Sequence, residues 1–566
     1  MQKLIIYQVF TRTFGNRKQT RQVNGTMSEN GVGKMNDFNA SVLRQIKNFG
    51  VTAVWYTGVI RHATCSDYSA FGIPKQSSRI VKGKAGSPYA ITDYYDIDPD
   101  IAENVTGRME EFDALVSRTH KAGLKVIIDF VPNHVARQYK SIAKPFGISD
   151  LGEDDDTGKH FDAQNNFYYC PNEHLDLSAV AFPDEIDSVP YEEFPAKCTG
   201  NDRFDAHPQQ NDWYETVKLN YGIDYCDAGG RSYHFSPLPS TWLKMADILL
   251  FWASKGIDGF RCDMAEMVPR EFWSYITGRI KNFYPHIVFI GEVYEPSKYR
   301  DYISAGFDYL YDKVGMYDCI RDVMCGRRPA SSITNAWQNT DDIQEHMLYF
   351  LENHDEQRIA SDFFCGNPQK GIPGMIVSSL LRANPLMVYA GQEFGERGMD
   401  REGFSGVDGR STIFDYWCTD SVFKGFFSRS ELTLEQLYLE GVYVKLMNIC
   451  NEEKAVQFGK TFDLMYANMD NEWFNPDKQF AFMRKDGGEA LLIVANFDDK
   501  DVDVEVRIPA HAFDYMQLVE GKVMMTDLMT GESLASVLSK DTTCRIHIKA
   551  LRGRIYKLLC LQRLTH

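Results

Sequence analysis

Four apolar runs in this 566-residue chain each end in a cluster of polar and charged side chains. The four stretches are KVIIDFVPNH (125–134), GIDGFRCDMAEMV (256–268), VFIGEVYEP (288–296) and YFLENHDEQRI (349–359). A short apolar run is typical of a buried strand, and the polar cluster after it marks the C-terminal end of that strand. Four such strand ends in one chain predict that their side chains converge on a single site.

The pattern around these runs predicts an α/β fold built from repeated β-α units. Strand-like runs alternate with helical patterns over residues 1–134, and the alternation resumes over 236–450. The two ranges together hold eight strand-like runs. We therefore predict that they form one (β/α)8 TIM barrel, with the chain between them inserted after the third strand.

Two regions of the chain lack this alternation. Residues 135–235 have little helical period and many Asp, Asn, Pro and Gly residues, so we predict an irregular insertion domain. Within residues 451–566, segments such as DVDVEVRI (501–508) alternate apolar and charged side chains. A period of two is typical of half-buried antiparallel strands, and this range is predicted to form a C-terminal antiparallel β-sandwich.

Composition narrows the classes of partner and the compartment. A formal charge of −17 disfavours nucleic acid and anionic membrane surfaces as partners. The N-terminal apolar run, residues 4–10, is too short for a signal-peptide core, and no transmembrane segment is visible. The 12 cysteines show no CxxC pair or regular framework, which favours free thiols in a reducing compartment. We expect a cytoplasmic protein, and its oligomeric state is left open.

In order and spacing, the four stretches resemble the signature regions of the alpha-amylase superfamily, glycoside hydrolase family 13. The resemblance extends over nearly the whole chain and implies a retaining enzyme that acts on alpha-glucans. It also implies that Asp263 is the nucleophile, Glu292 the general acid/base, and Asp355 a residue that holds the sugar hydroxyls. Retention requires the first two carboxyl groups to lie about 5 to 5.5 Å apart.

The resemblance further implies a set of substrate-binding residues. His134 and His354 match histidines that donate hydrogen bonds to the sugar in subsite −1, and Tyr89 aligns with a tyrosine that stacks on the same sugar. Arg261 precedes the nucleophile by two residues on the same strand face, so we expect its guanidinium to keep Asp263 ionised. Asp129 matches the first residue of the first signature region, and the resemblance implies that its role is mainly structural support.

The neighbours of Glu292 and of the nucleophile give two further expectations. Glu292 has no basic neighbour in sequence, so burial is expected to favour its protonated form. Many alpha-amylases place Lys and His three and four residues after the nucleophile, where this chain has Glu266 and Met267. That difference argues against ordinary endo-cleavage of starch. No Asp occurs shortly before Tyr89, which argues against an exo-acting glucosidase.

No cofactor is expected, and no metal site is assigned. Asn133 matches a family calcium ligand, but Lys218 stands where the insertion domain usually supplies an Asp. An ammonium group replaces or repels a hard cation, so we expect no calcium there. The acidic run 154–156 is interpreted as solvated loop charge.

The favoured hypothesis is a retaining hydrolase of alpha-glucosidic bonds, mainly alpha-1,4, in glucans or maltooligosaccharides. A transglycosylase or branching-type enzyme on the same fold is the main alternative, because a sugar hydroxyl can intercept the same glycosyl-enzyme. A catalytically silent carbohydrate-binding or transport-accessory protein is a third, weaker one, because such chains typically lose the catalytic residues and carry a membrane span.

Overall fold

Eight parallel strands close into a barrel in chain order in the computed structural model, which describes residues 2–182, 189–227, 229–401, 404 and 406–560. The strands, β1 to β8, are Ile5–Phe10, Ala53–Thr57, Lys125–Phe130, Gly259–Cys262, Val288–Gly291, Tyr309–Tyr311, Met347–Phe350 and Leu386–Tyr389. Strand β1 pairs with both β2 and β8, which closes the sheet. The predicted eight-stranded barrel and its fold class are confirmed.

Helices connect the successive barrel strands on the outside of the sheet. The longer ones are Ala40–Phe49, Arg108–Lys121, Ser240–Ser254, Arg270–Phe283, Tyr299–Ser304, Asp318–Met324, Ser332–Gln338, Gly371–Leu380, Asp420–Phe427 and Leu434–Glu452. Within the part of the chain that the structure describes, no helix has the length and apolar character needed to cross a membrane.

The first of these helices shows how local sequence sets an element's limits. Asn39 precedes Ala40–Phe49, and its side chain accepts hydrogen bonds from the backbone N–H groups of the first turn. Gly50 follows with φ of +103°, a left-handed conformation that glycine adopts without steric cost. Between these limits, the apolar positions recur at helical spacing and face the barrel.

The inside of the barrel has an apolar layer and, above it, a polar one. Alternate strand positions point inward, and the apolar members pack together: Ile6, Ala53, Trp55, Ile127, Ile290, Tyr311, Leu348, Phe350 and Met387. Two residues further along their strands, the inward positions after Ile6 and Ile127 are Gln8 and Asp129, both buried. The polar layer therefore lies at the C-terminal ends of the strands.

The chain between β3 and β4 is irregular, as the sequence pattern predicted. Its strands are short and form three antiparallel pairs: His134–Ala136 with Thr216–Lys218, Tyr169–Cys170 with Ala196–Lys197, and Ile223–Asp227 with Gly230–Tyr233. No helix occurs among the described residues of 135–235. Its own small apolar core includes Tyr168 and Leu175.

The C-terminal part of the chain is an antiparallel β-sandwich, which confirms that element of the predicted fold. Six strands form one sheet, in the order Lys460–Asp463, Gln479–Asp486, Glu489–Asn496, Gly553–Cys560, Gly521–Asp527 and Ser533–Leu538. Strand Val502–Arg507 pairs with Thr543–Ile548, and the alternating Val504 and Val506 are buried. The domain limits at 134, 235 and 450 stay a prediction; the helix Leu434–Glu452 runs past the last of them.

A buried carboxyl group after β8 should make stability depend on pH. Burial raises the pKa of Glu393 from 4.5 to about 7, although the Tyr7 hydroxyl donates a hydrogen bond to it. Its stabilising contribution is fully present below the unfolded-state pKa of 4.5 and is lost as the pH rises through about 7. The free energy of unfolding should therefore fall by about 3 kcal/mol across this window because of this group.

Glu393→Gln should remove that part of the pH dependence, since the amide does not titrate. Urea denaturation at a series of pH values from 4.5 to about 8 measures it. The exposed Glu472 offers a matched control, and Glu472→Gln should keep the slope of the unaltered protein. An unchanged slope in Glu393→Gln would contradict the assignment.

Candidate active site

A cavity of about 1450 Å³ opens at the C-terminal ends of the barrel strands. Five of the seven residues predicted from the sequence line it: Tyr89, His134, Asp263, Glu292 and Asp355. Asp263 and Glu292 directly follow β4 and β5, so neighbouring strands deliver them side by side. The two other predicted residues, Arg261 and His354, are fully buried behind this surface and contact its carboxylates.

The Arg261 guanidinium lies among four carboxylates. Its Nη1 is 2.9 Å from Oδ1 of Asp263 and 3.5 Å from Oδ1 of Asp129. Its Nη2 is 2.8 Å from Oε2 of Glu292 and 4.0 Å from Oδ2 of Asp355. The strand register explains the arrangement, because Arg261 in β4 lies beside Asp129 in β3. One buried cation thus fixes carboxylates from four strands or strand ends.

The net electrostatics differ from the expectation for Asp263. Burial raises the pKa of Asp263 well above its usual value; Arg261 opposes this, but Glu292 and Asp355 add to the rise. The net direction is therefore opposite to the expectation, although Arg261 itself lowers this pKa as predicted. The part of the rise that comes from Glu292 exists only while Glu292 is ionised, so protonation of Glu292 favours ionisation of Asp263. Burial would likewise raise the pKa of Asp355, but the His354 ring and Arg261 outweigh it and hold that pKa below its usual value.

Glu292 has a tighter set of partners than its sequence neighbours indicated. The backbone N–H of Met264 donates to its Oε2 at 2.8 Å, and the Tyr294 hydroxyl donates to its Oε1. Glu292 has no basic neighbour along the chain, but in three dimensions Arg261 pairs with it. Met264 has φ of +44°, a strained conformation that aims its N–H at the carboxylate.

His354 is held by contacts on both ring nitrogens. The amide nitrogen of Gln8 lies 2.7 Å from Nδ1, so Nδ1 accepts this hydrogen bond and Nε2 carries a proton. Nε2 lies within hydrogen-bond distance of the Tyr89 hydroxyl and 3.1 Å from Oδ2 of Asp355. The ring therefore positions the predicted stacking tyrosine and the third carboxylate of the site.

His134 lies on the opposite wall, at the start of the insertion. Burial and the nearby Lys218 ammonium lower the pKa of His134 to about 3. The ring is therefore neutral at ordinary pH and packs against Trp213, with ring centroids 5.2 Å apart. A neutral imidazole at a cavity wall can exchange hydrogen bonds with a sugar hydroxyl.

The two residues that depart from the family pattern have different surroundings. Oε2 of Glu266 accepts hydrogen bonds from the backbone N–H groups of Tyr294 and Glu295, at 3.3 and 3.2 Å. Glu266 therefore fixes the loop that follows Glu292 and does not line the cavity described above. Met267 does not line the cavity either, whereas Met264 does.

Lys218 occupies the position where the family places a calcium ligand. Its buried ammonium lies 2.5 Å from Oδ1 of Asn133 and 2.6 Å from Oδ1 of Asp202. These contacts satisfy the side chain of Asn133 within the protein, because its amide nitrogen also donates to the carbonyl of Gly200 at 2.8 Å.

The sequence analysis missed six aromatic residues of the described lining: Tyr191, Trp213, Tyr214, Tyr294, Phe404 and Phe414. Tyr294 follows Glu292 by two residues, so period-two alternation along the strand could have identified it. The others come from irregular segments, where no period indicates which side chains face the cavity. Their faces suit sugar rings.

The barrel and its carboxylate-lined cavity define a glycoside hydrolase of the (β/α)8 type. Residues 8–177 and 238–422 match the description "Alpha amylase, catalytic domain", and 473–542 match "Alpha amylase, C-terminal all-beta domain". The chain therefore belongs to the alpha-amylase family.

Individual relatives are distant in sequence. Alpha-amylase 3 of Dictyoglomus thermophilum is 24% identical over 434 residues, covering 73% of this chain and 69% of that protein. Neopullulanase 2 of Thermoactinomyces vulgaris is 19% identical over 407 residues, covering 70% and 57%. The crystal structure of alpha-amylase from Geobacillus thermoleovorans complexed with acarbose covers 99% of both chains at 18% identity, with a TM-score of 0.65. This last likeness concerns the fold.

The Tyr294 hydroxyl should contribute to turnover because it orients Glu292. Tyr294→Phe removes one hydrogen bond to a carboxyl oxygen, which is worth about 1.5 to 3 kcal/mol. We expect kcat on a maltooligosaccharide to fall about 10- to 100-fold with little change in KM. The half-buried Tyr284, which does not line the cavity, gives the matched control Tyr284→Phe, which should keep both constants. Equal kinetics in the two variants would exclude the role.

Proposed function

We propose that this protein is a retaining hydrolase of alpha-glucosidic bonds, mainly alpha-1,4, in glucans or maltooligosaccharides. The observation that carries the proposal is the state of Asp263. Its Oδ1 is held by Arg261 at 2.9 Å, whereas its buried Oδ2 has no hydrogen-bond partner among the described residues. A carboxylate fixed by one oxygen at a cavity wall, with the other oxygen free, is suited to attack an anomeric carbon.

In the proposed reaction, Glu292 protonates the glycosidic oxygen while Asp263 attacks the anomeric carbon. The bond to the leaving sugar breaks, and a covalent glycosyl-enzyme forms on Asp263. Glu292, now ionised, removes a proton from water, whose oxygen attacks the same carbon and releases Asp263. Two inversions at this carbon give net retention. Asp355, Tyr89 and the histidines hold the ring during both steps.

The cavity supports a glucan as substrate. Its volume of about 1450 Å³ exceeds the roughly 300–1,000 Å³ typical of small-ligand pockets, so it can hold several sugar rings. Aromatic faces supply stacking surfaces for these rings, and Tyr214 and Trp213 come from the insertion. An uncharged polymer is not repelled by the charge of −17.

Transglycosylation remains the alternative use of the same intermediate. The acceptor side lacks the Lys and His that many alpha-amylases place there, since Glu266 binds backbone N–H groups instead. This arrangement supports a change in acceptor preference. The silent alternative is disfavoured because all three carboxylates are present and line one cavity.

We further propose a reducing compartment such as the cytoplasm. All twelve cysteines lie among the described residues, and each is a free thiol. A free thiol at the surface, as at Cys560, is typical of reducing surroundings.

Removal of the nucleophile should abolish turnover without unfolding the protein. Asp263→Asn keeps the shape of the side chain but removes its nucleophilic charge, and we expect kcat to fall by about three orders of magnitude or more. The measurement is release of reducing sugar from maltoheptaose. Asp477→Asn, at an exposed position, is the matched control and should retain full activity. Retained activity in Asp263→Asn would remove the assignment.

Product analysis separates the candidate functions. The purified protein is incubated with maltoheptaose, pullulan and soluble starch, and the anomeric protons are followed by NMR in the first minutes. Shorter sugars that appear as the alpha anomer support retaining hydrolysis, and pullulan cleavage reports on linkage. Products longer than the substrate would favour the transglycosylase instead, and no turnover would favour the silent alternative.

We also propose that calcium is not required at the Asn133 position. The ammonium of Lys218 donates to the oxygen that would otherwise ligate the cation, and it pairs with Asp202. A cation with a charge of +2 would meet this fixed positive charge at short range.

Calcium should therefore leave the melting temperature of the unaltered protein unchanged. Lys218→Asp restores a carboxylate beside Asn133 and Asp202, and we expect its melting temperature to rise when calcium is added. Lys218→Met is the matched control. Its free energy of unfolding should fall by about 2 kcal/mol because buried partners are left unpaired, and its melting temperature should not respond to calcium. A calcium response in the unaltered protein would contradict the proposal. Thermal unfolding with and without millimolar calcium gives the answer.

A further inference from the structure

One imidazole and three thiols from four separate segments of the insertion lie together, away from the carboxylates. They belong to His160, Cys170, Cys198 and Cys226. Nε2 of His160 is 3.2 Å from Sγ of Cys226, and Sγ of Cys170 is 3.9 Å from Sγ of Cys198. A ring nitrogen of His160 and the sulfurs of Cys170 and Cys198 all lie within 4.8 Å of one another. Among the described residues, no other group of three His, Cys, Asp or Glu side chains is this close.

The histidine ring is oriented as a metal ligand would be. Its Nδ1 lies 2.6 Å from the backbone carbonyl oxygen of Tyr169, so Nδ1–H donates and the lone pair is left on Nε2. Nε2 is the nitrogen that contacts the sulfur of Cys226. A backbone carbonyl that fixes the tautomer in this way is the usual outer partner of a metal-bound histidine. The backbone N–H of Tyr169 donates to the carbonyl of His160, which keeps the two segments together.

The spacing of the ligand atoms fits a tetrahedral ion. Zn–S bonds of about 2.3 Å place two thiolates of a tetrahedron about 3.8 Å apart, and the shorter Zn–N bond brings a nitrogen slightly closer to each sulfur. The observed separations of 3.9 Å between the two sulfurs and 3.2 Å between nitrogen and sulfur lie near these values. A disulfide would require a sulfur separation of about 2.05 Å.

We propose that His160, Cys170 and Cys198 bind one zinc ion in a structural site and that Cys226, whose sulfur lies 3.2 Å from Nε2 of His160, supplies the fourth ligand. Cys226 lies outside the group of ligand atoms that are all within 4.8 Å of one another, so its exposed side chain has to move closer to the other two sulfurs to complete a tetrahedral shell. No CxxC spacing marks this site in the sequence, because each ligand comes from a different segment of the chain.

The ion would connect the insertion to the wall of the active-site cavity. Cys170 ends strand Tyr169–Cys170, and Cys226 lies in strand Ile223–Asp227 at a register irregularity. The carbonyl of Cys198 accepts the backbone N–H of Lys218 at 2.9 Å. Two residues after Cys198, the carbonyl of Gly200 accepts from Asn133, the neighbour of His134. Zinc would therefore stabilise loops whose own apolar core is small.

Metal analysis of the untagged, full-length protein tests the proposal without reference to activity. The protein is expressed with added zinc, dialysed against metal-free buffer and analysed by inductively coupled plasma mass spectrometry. We expect about one zinc per chain in the unaltered protein and a loss of about tenfold or more in Cys198→Ser and His160→Ala. Cys365→Ser is the matched control, because Cys365 lies 3.6 Å from Cys325 in a sulfur pair outside the cluster, and it should keep its zinc.

A second measurement covers variants that fail to fold. Cobalt(II) added to the metal-stripped, unaltered protein should give the visible d–d bands of a tetrahedral ion and a thiolate charge-transfer band in the near ultraviolet. Cys226→Ser, at an exposed position that should tolerate the change, should weaken the charge-transfer band and shift the d–d bands.

Three results would overturn the proposal. The first is a protein that holds no zinc and shows no cobalt spectrum while all twelve thiols titrate. The second is a disulfide between Cys170 and Cys198 in non-reduced peptide mass spectra. The third is full zinc content in both Cys198→Ser and Cys226→Ser. None of these depends on whether the protein cleaves glucans.

Discussion

The pairing of the buried Arg261 guanidinium with carboxylates is the interaction on which the site depends. A cation inside the barrel is strongly destabilising unless opposite charges surround it at short range. Here β3, β4, β5 and the segment after β7 each contribute one carboxylate within 4.0 Å. Asp129, Arg261 and Asp355 are far apart in sequence, so the charge balance exists only when the strands have come together in the barrel. Folding and assembly of the site are therefore the same event.

The insertion completes the site by a different kind of contact. None of its described residues adds a carboxylate to the cluster around Arg261, but two of them hold the segment that follows β3. Trp213 packs on His134, and Lys218 donates a hydrogen bond to Asn133. Burial lowers the pKa of His134 the most, and the Lys218 ammonium lowers it further, so a neutral ring faces the cavity. The barrel thus fixes one wall of the cavity. The irregular insertion forms the opposite wall and is held in place by contacts of its own.

The sequence could predict those parts of the molecule in which apolar side chains recur at a regular spacing. Parallel strands end at the same face of a barrel, so the residues after apolar runs could be placed together without knowing their distances. The contact between Arg261 and Glu292 depends on side-chain reach across two strands, and the burial that raises the Asp263 pKa depends on the whole cluster. Gln8, Trp213 and the ligands around His160 could not be assigned, because no spacing rule relates segments that meet only in three dimensions.

The shared guanidinium also has a consequence for the proposed reaction. Although burial raises the pKa of Asp263, the proposed reaction begins with the proton on Glu292 and the negative charge on Asp263; after glycosyl transfer Asp263 is an uncharged ester and Glu292 is ionised. Both carboxyl groups lie within 2.9 Å of the same guanidinium, one on Nη1 and the other on Nη2. The charge next to Arg261 is therefore constant while its location changes. A buried cation that faces both groups needs no rearrangement between the two steps, which is the advantage of electrostatic preorganisation.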